Sequence, residues 1–338
     1  MISPASPDRD RPTLFCLHFL GGSAGTWTRM TSHLAGSFRC VTIDLAGFGD
    51  AARTPGYSVA EMADRVADVI RAAAPDRWML AGHSMGAKVA TVLARRAEDG
   101  EHGLGGLSRI VLLAGSPPGP EPMDESQRQA MMAWFTGDLE QRRVQAQGYI
   151  DQNVAARLDL AANAQAVDDV LRVEPAAWVA WLDRGSREDW SERVGVLRTP
   201  ALVVAGADDA ALGLPAQRDR MAPHFTHVRL VTLPDAAHLL PLERPEEVAR
   251  LIIEHADQPE PAPAIGAAYL ALINSDRVSA RTRETLLARA QPDDPAYQPV
   301  AVTVAQLGTL RAVIDRVLPQ PAVAIDLVPL VIDRDRFL

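Results

Sequence analysis

The chain has 338 residues, of which 47% are hydrophobic and 23% are charged, and its formal net charge is −9. This length and composition are typical of a globular protein with one large α/β domain plus an appendage, or with two modest domains. The excess of acidic residues argues against general nucleic-acid binding and against binding to anionic membranes.

The N-terminal residues 1–12 contain no apolar segment of the kind found in signal peptides, and we expect them to be extended or disordered. No apolar run in the sequence reaches the ~18 residues needed to span a bilayer. The two cysteines, Cys16 and Cys40, lie in apolar runs and are expected to be buried free thiols. These features together predict a cytoplasmic protein.

Short apolar runs alternate with longer amphipathic ones from residue 13 onward. The apolar runs read, in chain order, TLFCLHF, RCVTIDL, RWMLAGH, SRIVLLAG, PALVVAG and THVRLVTLP. After the second of them, SVAEMADRVADVIRAAA has helical spacing, with Ser58 as N-cap and Glu61 as its capping-box partner. This alternation predicts an α/β fold whose mostly parallel sheet of about six strands is covered on both faces.

The alternation is interrupted between residues 116 and 190, where no good strand pattern occurs. We predict an inserted helical subdomain here, because the segment is too long for a simple connection. A Pro-rich linker, QPEPAPA, follows at about residues 257–263. Residues 264–338 contain three helix-like runs and predict a helical appendage.

The stretch AGHSMG places Ser84 between two glycines, where a predicted strand turns into a predicted helix. In such a G-x-S-x-G turn the hydroxyl is exposed at the carboxyl edge of the sheet, where ligands bind in open α/β folds. A serine becomes a good nucleophile only beside a base and a group that orients the base. Two later strands end in GADD and DAAH, which supply the acid candidates Asp208 and Asp209 and the base candidate His238.

The chain order Ser, Asp, His and four further stretches resemble the α/β-hydrolase superfamily over residues 13–256. LHFLGG resembles the H-G-x oxyanion loop of that family, and DLAGFGD resembles its D-x-x-G-x-G turn. GADD resembles the G-x-x-D acid turn, and LPDAAHLLPLERPEEV resembles the segment around the family's histidine. The resemblance implies an α/β-hydrolase fold in which residues 116–190 form a cap over the active site.

The resemblance further implies a catalytic triad, with Ser84 as nucleophile, His238 as general base and Asp209 as the acid that orients the base. The G-x-x-D spacing favours Asp209, and Asp208 is the alternative.

The implied oxyanion hole consists of the backbone N–H groups of Leu20 and Met85. Phe19 stands where the family usually has glycine, which leaves the orientation of the Leu20 N–H open and makes Phe19 a candidate wall of the acyl pocket. His18 and His83 lie near the site, and we expect them to shape its loops rather than to transfer protons.

The cap is rich in large apolar side chains, which suits a pocket for acyl or aryl groups, although aromatic residues at helical spacing are more often core. The candidate pocket residues are Phe19, His83, Trp134, Trp178 and Trp181. Lys88, one helical turn after Ser84, either approaches the site or packs its stem along the sheet, and the second interpretation is favoured.

These features lead to the hypothesis of a serine hydrolase that cleaves carboxylic esters of modest size through an acyl-enzyme, without a metal or organic cofactor. Family members that cleave simple esters carry a run similar to GHSMGAK, which favours this activity. The same triad would also serve C–C bond hydrolysis of a dienoic ketoacid, lactone opening or acyl transfer, because pocket shape decides among these reactions. A non-catalytic binding protein is a further alternative, but such proteins often lose a triad member.

Within the appendage, TVAQLGTLRAVIDRVLP resembles helical segments in the small subunit of membrane-bound gluconate dehydrogenases. We favour a simpler interpretation, in which the appendage packs on the hydrolase domain or mediates association into a homo-oligomer. The expected partner is a small-molecule ester, and neither nucleic acid nor a membrane is expected to bind.

Overall fold

The computed structural model describes residues 11–259, 272–275 and 277–289. The chain divides into two compact units, Met1–Gln258 and Pro259–Leu338. In the second unit a helix spans Ala280–Arg289, within the predicted run SARTRETLLARA. Residues 1–10, most of the predicted linker and most of the predicted appendage, including TVAQLGTLRAVIDRVLP, lie outside the described residues.

Six parallel strands form one sheet in the first unit, in the order β2-β1-β3-β4-β5-β6. The strands are β1 (Thr13–Leu17), β2 (Arg39–Ile43), β3 (Trp78–His83), β4 (Leu107–Leu113), β5 (Ala201–Gly206) and β6 (Val228–Leu233). Every residue of β1, β3 and β5 is buried, because both faces of these central strands are covered. The predicted α/β fold with about six mostly parallel strands is confirmed.

Helices lie on both faces of this sheet and in the segment between β4 and β5. They are α1 (Thr28–Leu34), α2 (Val59–Ala73), α3 (Met85–Glu98), α4 (Glu125–Met132), α5 (Leu139–Gln152), α6 (Leu160–Arg172), α7 (Pro175–Ala180), α8 (Ser191–Val194), α9 (Leu214–Ala216), α10 (Leu240–Glu243) and α11 (Pro245–Asp257). No helix within the described ranges is long and apolar enough to cross a membrane.

The alternating side chains of each central strand fill two separate cores. Leu14 and Cys16 of β1 pack with α1 and α11 on one face, whereas Phe15 and Leu17 pack with α2 and α3 on the other. Burial on both faces explains why these strands have continuous apolar sequences, and it fixes the carboxyl ends of the strands as one rigid edge.

The insertion between β4 and β5 is helical and contains α4 to α8. Asp124, Asp138 and Asp159 cap the first three of these helices, each accepting a hydrogen bond from a backbone N–H of the first turn. After α7 the chain makes a π-helical turn, Trp181–Gly185. We call residues 116–190 the cap.

Candidate active site

Ser84 lies in the sharp turn that joins β3 to α3. Its backbone has φ 51° and ψ −116°, a conformation that residues other than glycine rarely adopt. A Cβ on Gly82 would lie 2.5 Å from the Gly86 carbonyl oxygen, and a Cβ on Gly86 would lie 2.5 Å from the Leu17 carbonyl oxygen. Only glycines therefore fit beside the serine, and the close packing holds its hydroxyl at the carboxyl edge of the sheet.

Ser84, His238 and Asp209 form a continuous hydrogen-bonded row. His238 Nε2 lies 2.8 Å from Ser84 Oγ, and His238 Nδ1 lies 2.8 Å from Asp209 Oδ2. The three residues follow β3, β6 and β5, whose carboxyl ends meet at this edge of the sheet. Ser84 and His238 are each only 7% exposed, so the row is shielded from bulk water.

The structure places Asp209, and not Asp208, next to His238. The Asp209 carboxylate also accepts the backbone N–H groups of Ala211 and Leu212, whereas Asp208 is exposed. Burial by itself would raise the pKa of Asp209, but the attraction of His238 and these hydrogen bonds outweigh burial and lower it. Asp209 is therefore ionised at neutral pH, as the orienting acid of such a row must be.

The same carboxylate controls the protonation of His238. Burial alone would lower the pKa of this imidazole, yet the charge and hydrogen bond of Asp209, helped by Glu121 and Glu243, raise it above the ordinary value of 6.5. An imidazole with a raised pKa is a stronger base, and its partner Asp209 stabilises the imidazolium that forms when it takes a proton.

His18 and His83 are both fully buried, and burial lowers the pKa of each, that of His83 to about 3. His83 Nε2 lies 2.7 Å from the His238 carbonyl oxygen and donates its proton to it. His18 Nε2 accepts the Leu45 N–H at 3.0 Å, so its proton is on Nδ1, which donates to the Phe19 carbonyl oxygen at 2.7 Å. Both histidines thus bind the loops that carry site residues.

The peptide bond between Phe19 and Leu20 is held from its carbonyl end. Phe19 O accepts hydrogen bonds from His18 Nδ1 and from the Gly22 N–H, at 2.7 and 3.0 Å. In a trans peptide the N–H points away from the carbonyl, so these bonds also fix the direction of the Leu20 N–H. Met85 is the first residue of α3, where a backbone N–H has no acceptor within its own helix.

The Phe19 ring, at 1% exposure, lies in the core beneath this loop. It packs on His83, with ring centroids 5.2 Å apart. A Cβ on Gly22 would lie 2.6 Å from the ring, so this glycine, three positions after Phe19, provides the space for the ring. The chain thus accommodates a large side chain where the family usually has glycine.

Two of the three candidate tryptophans lie together above the candidate oxyanion loop, residues 18–22. Trp134 and Trp178 have ring centroids 5.3 Å apart, and both contact the ring of Tyr149. A Cβ on Gly21 would lie 3.2 Å from the Trp178 ring, which places this tryptophan directly over the loop. The third candidate, Trp181, lies instead beside Lys88, whose Nζ is 5.8 Å from the ring centroid.

Lys88 is the only lysine in the sequence, and it is fully buried. Its ammonium group donates to the carbonyl oxygens of Gly185 and Glu188, at 3.2 and 3.0 Å, and lies 3.4 Å from that of Ser186. The side chain therefore joins α3 to the end of the cap. The sequence predicted a buried stem but gave no sign of these carbonyl partners.

Sequence reasoning missed Tyr149 and Asn153, which lie at the end of α5 and contact the loops on both sides of Ser84. The Tyr149 hydroxyl donates to the Leu20 carbonyl oxygen at 2.9 Å, and the Asn153 carbonyl oxygen accepts the His238 N–H at 3.0 Å. No motif signals these contacts. In the part of the chain that the structure describes, no group of three or more His, Cys, Asp or Glu residues is arranged to hold a metal ion.

Residues 12–245 match the family model of the alpha/beta hydrolase fold. The chain is 28% identical over 257 residues to the pimeloyl-(acyl-carrier protein) methyl ester esterase of Aromatoleum aromaticum, a match that covers 72% of this chain and 97% of that protein.

Two solved structures resemble it over a similar span. A thermophilic esterase from Thermogutta terrifontis has a TM-score of 0.57 and 25% identity, over 72% of this chain and 88% of that one. An enol-lactonase from Burkholderia xenovorans has a TM-score of 0.61 and 19% identity, over 73% of this chain and 92% of that one.

Proposed function

Because this chain belongs to the α/β-hydrolase fold family, we propose that it hydrolyses carboxylic esters of modest size through an acyl-enzyme formed on Ser84. The observation that carries the proposal is the hydrogen-bonded row from Ser84 Oγ through His238 to Asp209. An isolated serine hydroxyl is a weak nucleophile, and a row of this kind gives it a base with a fixed ring orientation.

In the first half of the reaction, Ser84 Oγ attacks the ester carbonyl carbon while His238 Nε2 takes the hydroxyl proton. The carbonyl oxygen becomes an oxyanion, which the N–H groups of Leu20 and Met85 stabilise. The bond to the alcohol oxygen then breaks, and His238 gives its proton to the departing alcohol. Asp209 stays ionised throughout and stabilises the imidazolium.

In the second half, a water molecule replaces the alcohol. His238 takes a proton from the water as the oxygen attacks the acyl carbon, and the second tetrahedral intermediate uses the same two N–H donors. Collapse breaks the bond to Ser84 Oγ, which recovers its proton from His238, and the carboxylic acid leaves. The net reaction consumes one water and needs no redox partner.

The aromatic cluster above the oxyanion loop favours an apolar acyl or aryl group on the substrate. Trp134, Trp178 and Tyr149 lie in contact with one another, next to Gly21 and Leu20. The esterase relatives support the same reaction class, and the name of the Aromatoleum aromaticum relative adds methyl esters of acyl chains to the candidates. We propose a small-molecule ester as the substrate.

The test uses p-nitrophenyl esters of graded acyl length, a series of methyl esters and a series of lactones. We expect turnover of esters by the wild type and a loss of about a thousandfold or more in Ser84→Ala. Ser32→Ala, which changes an exposed serine on α1, is the matched control and is expected to leave turnover unchanged. Ester turnover by the wild type no greater than that of Ser84→Ala would refute the proposal.

A further inference from the structure

One helical turn of the cap contacts both loops that flank the nucleophile. This turn, residues 149–153, comprises the last residues of α5 and its C-cap Asn153. On one side it contacts the oxyanion loop through Tyr149, and on the other it contacts the loop of His238 through Asn153.

The Tyr149 hydroxyl is the contact to the oxyanion loop. It donates to the Leu20 carbonyl oxygen at 2.9 Å, and the residue is 8% exposed. Burial raises the pKa of Tyr149, so the hydroxyl keeps its proton and remains a donor. The ring packs edge-on against both Trp134 and Trp178, which restricts the movement of the hydroxyl. Leu20 is thus restrained on both sides, by this bond and by those to Phe19 O.

The main-chain oxygen of Asn153 is the contact to the histidine loop. It accepts the N–H groups of both His238 and Leu239, at 3.0 and 3.1 Å. The Asn153 side chain turns back and donates from Nδ2 to the Tyr149 carbonyl oxygen at 2.7 Å. A single turn therefore links the two loops by hydrogen bonds.

We propose that this turn sets the spacing between the oxyanion donors and the catalytic base, and that Tyr149 is a positioning residue for the oxyanion hole. The inference rests on the proposed ester hydrolysis on Ser84. Donors stabilise a developing oxyanion only when they are held within a few tenths of an ångström of the right place. The cap accordingly completes the catalytic geometry in addition to covering the substrate.

The test replaces Tyr149 by phenylalanine, which removes the hydroxyl and leaves the ring to pack on Trp134 and Trp178. We expect Tyr149→Phe to lower kcat about tenfold with KM within about twofold of the wild type. Binding of a trifluoromethyl ketone, which forms a tetrahedral adduct on Ser84, weakens by the same factor as kcat falls. Tyr57→Phe, at a partly buried tyrosine against Gly47, is the matched control and is expected to change neither value.

Asn153→Ala is the second variant, because it removes the hydrogen bond from Asn153 Nδ2 to the Tyr149 carbonyl oxygen and leaves the Asn153 main-chain oxygen in place. It is expected to lower kcat by a smaller factor, about threefold. Full kcat in Tyr149→Phe, a change confined to KM, or an equal loss in Tyr57→Phe would each overturn the inference.

A separate measurement distinguishes this inference from the proposed function. The rate at which a fluorophosphonate modifies Ser84 depends on the oxyanion hole and does not require that esters be the substrate. If the wild type hydrolyses no ester, the proposed function fails, and the positioning role is then judged on this rate alone. A rate of modification about tenfold lower in Tyr149→Phe than in the wild type supports the positioning role, and an unchanged rate overturns it.

Discussion

Lys88 permits a quantitative test of how the cap is attached to α3. Burial lowers the pKa of its ammonium group from the ordinary 10.5 to about 8, and Glu121, Glu188 and Asp189 only partly oppose this effect. The difference between the two values corresponds to about 3 kcal/mol by which the charged group destabilises the folded protein below pH 8. Replacing it by methionine, Lys88→Met, removes the charge and keeps much of the side-chain volume.

The sign of the pH dependence follows from the order in which the two states lose the proton. Above pH 8 the folded protein loses it while the unfolded chain keeps it up to about 10.5, so raising the pH stabilises the folded state. The free energy of unfolding of the wild type, minus that of Lys88→Met, should therefore rise by about 2.5 kcal/mol between pH 7 and pH 10. Other titrating groups are common to both proteins and cancel in the difference.

The assay is urea unfolding at a series of pH values, followed by tryptophan fluorescence. Arg53→Met is the control, because it also removes one positive charge, but from an exposed side chain, and it should give a difference that does not change with pH. If the difference in the free energy of unfolding between the wild type and Lys88→Met also does not change with pH, the ammonium group is not desolvated in the folded protein. A difference that falls with pH would show that its carbonyl partners outweigh burial.

Three further predictions concern the site itself. Asp209→Asn should lower kcat by about a hundredfold or more, whereas Asp208→Asn should leave it nearly unchanged, and the reverse result would assign the orienting role to Asp208. In a pH–rate profile, kcat/KM should fall as His238 is protonated, with an inflection above 6.5 because its pKa is raised; an inflection at or below 6.5 would contradict the stated role of Asp209. Gly82→Ala should lower the free energy of unfolding by about 2 kcal/mol or more, because the added Cβ clashes in the turn. Gly148→Ala, whose Cβ would meet nothing within 4 Å, should be neutral or stabilising in thermal unfolding. Equal effects of the two substitutions would refute the steric argument.

The sequence by itself determined the fold class and pointed to the residues of the hydrogen-bonded row. The apolar runs mark the strands, because a strand buried on both faces leaves no polar alternation in its own sequence. The turn around Ser84 is in part a local feature, since the clash at Gly82 is with the start of its own helix, whereas the clash at Gly86 is with the end of the neighbouring β1. His238 was found because loops at the carboxyl ends of parallel strands meet at one edge.

Only the tertiary structure decided which acid faces the histidine and what surrounds the row. Asp208 and Asp209 are adjacent in sequence, and their difference lies in the direction of each side chain. Trp178 and Trp181 are three residues apart on one segment of the cap, yet the first lies over the loop of Gly21 and the second beside Lys88.

The contact between Tyr149 and Leu20 joins residues 129 positions apart, and no local pattern encodes it. Strands, turns and caps arise from interactions between near neighbours in the chain, so their sequence patterns are readable. The packing of the cap on the core depends instead on how whole helices and strands fit together. The residues around Ser84 are therefore known only from the folded structure, in which the cap lies against the core.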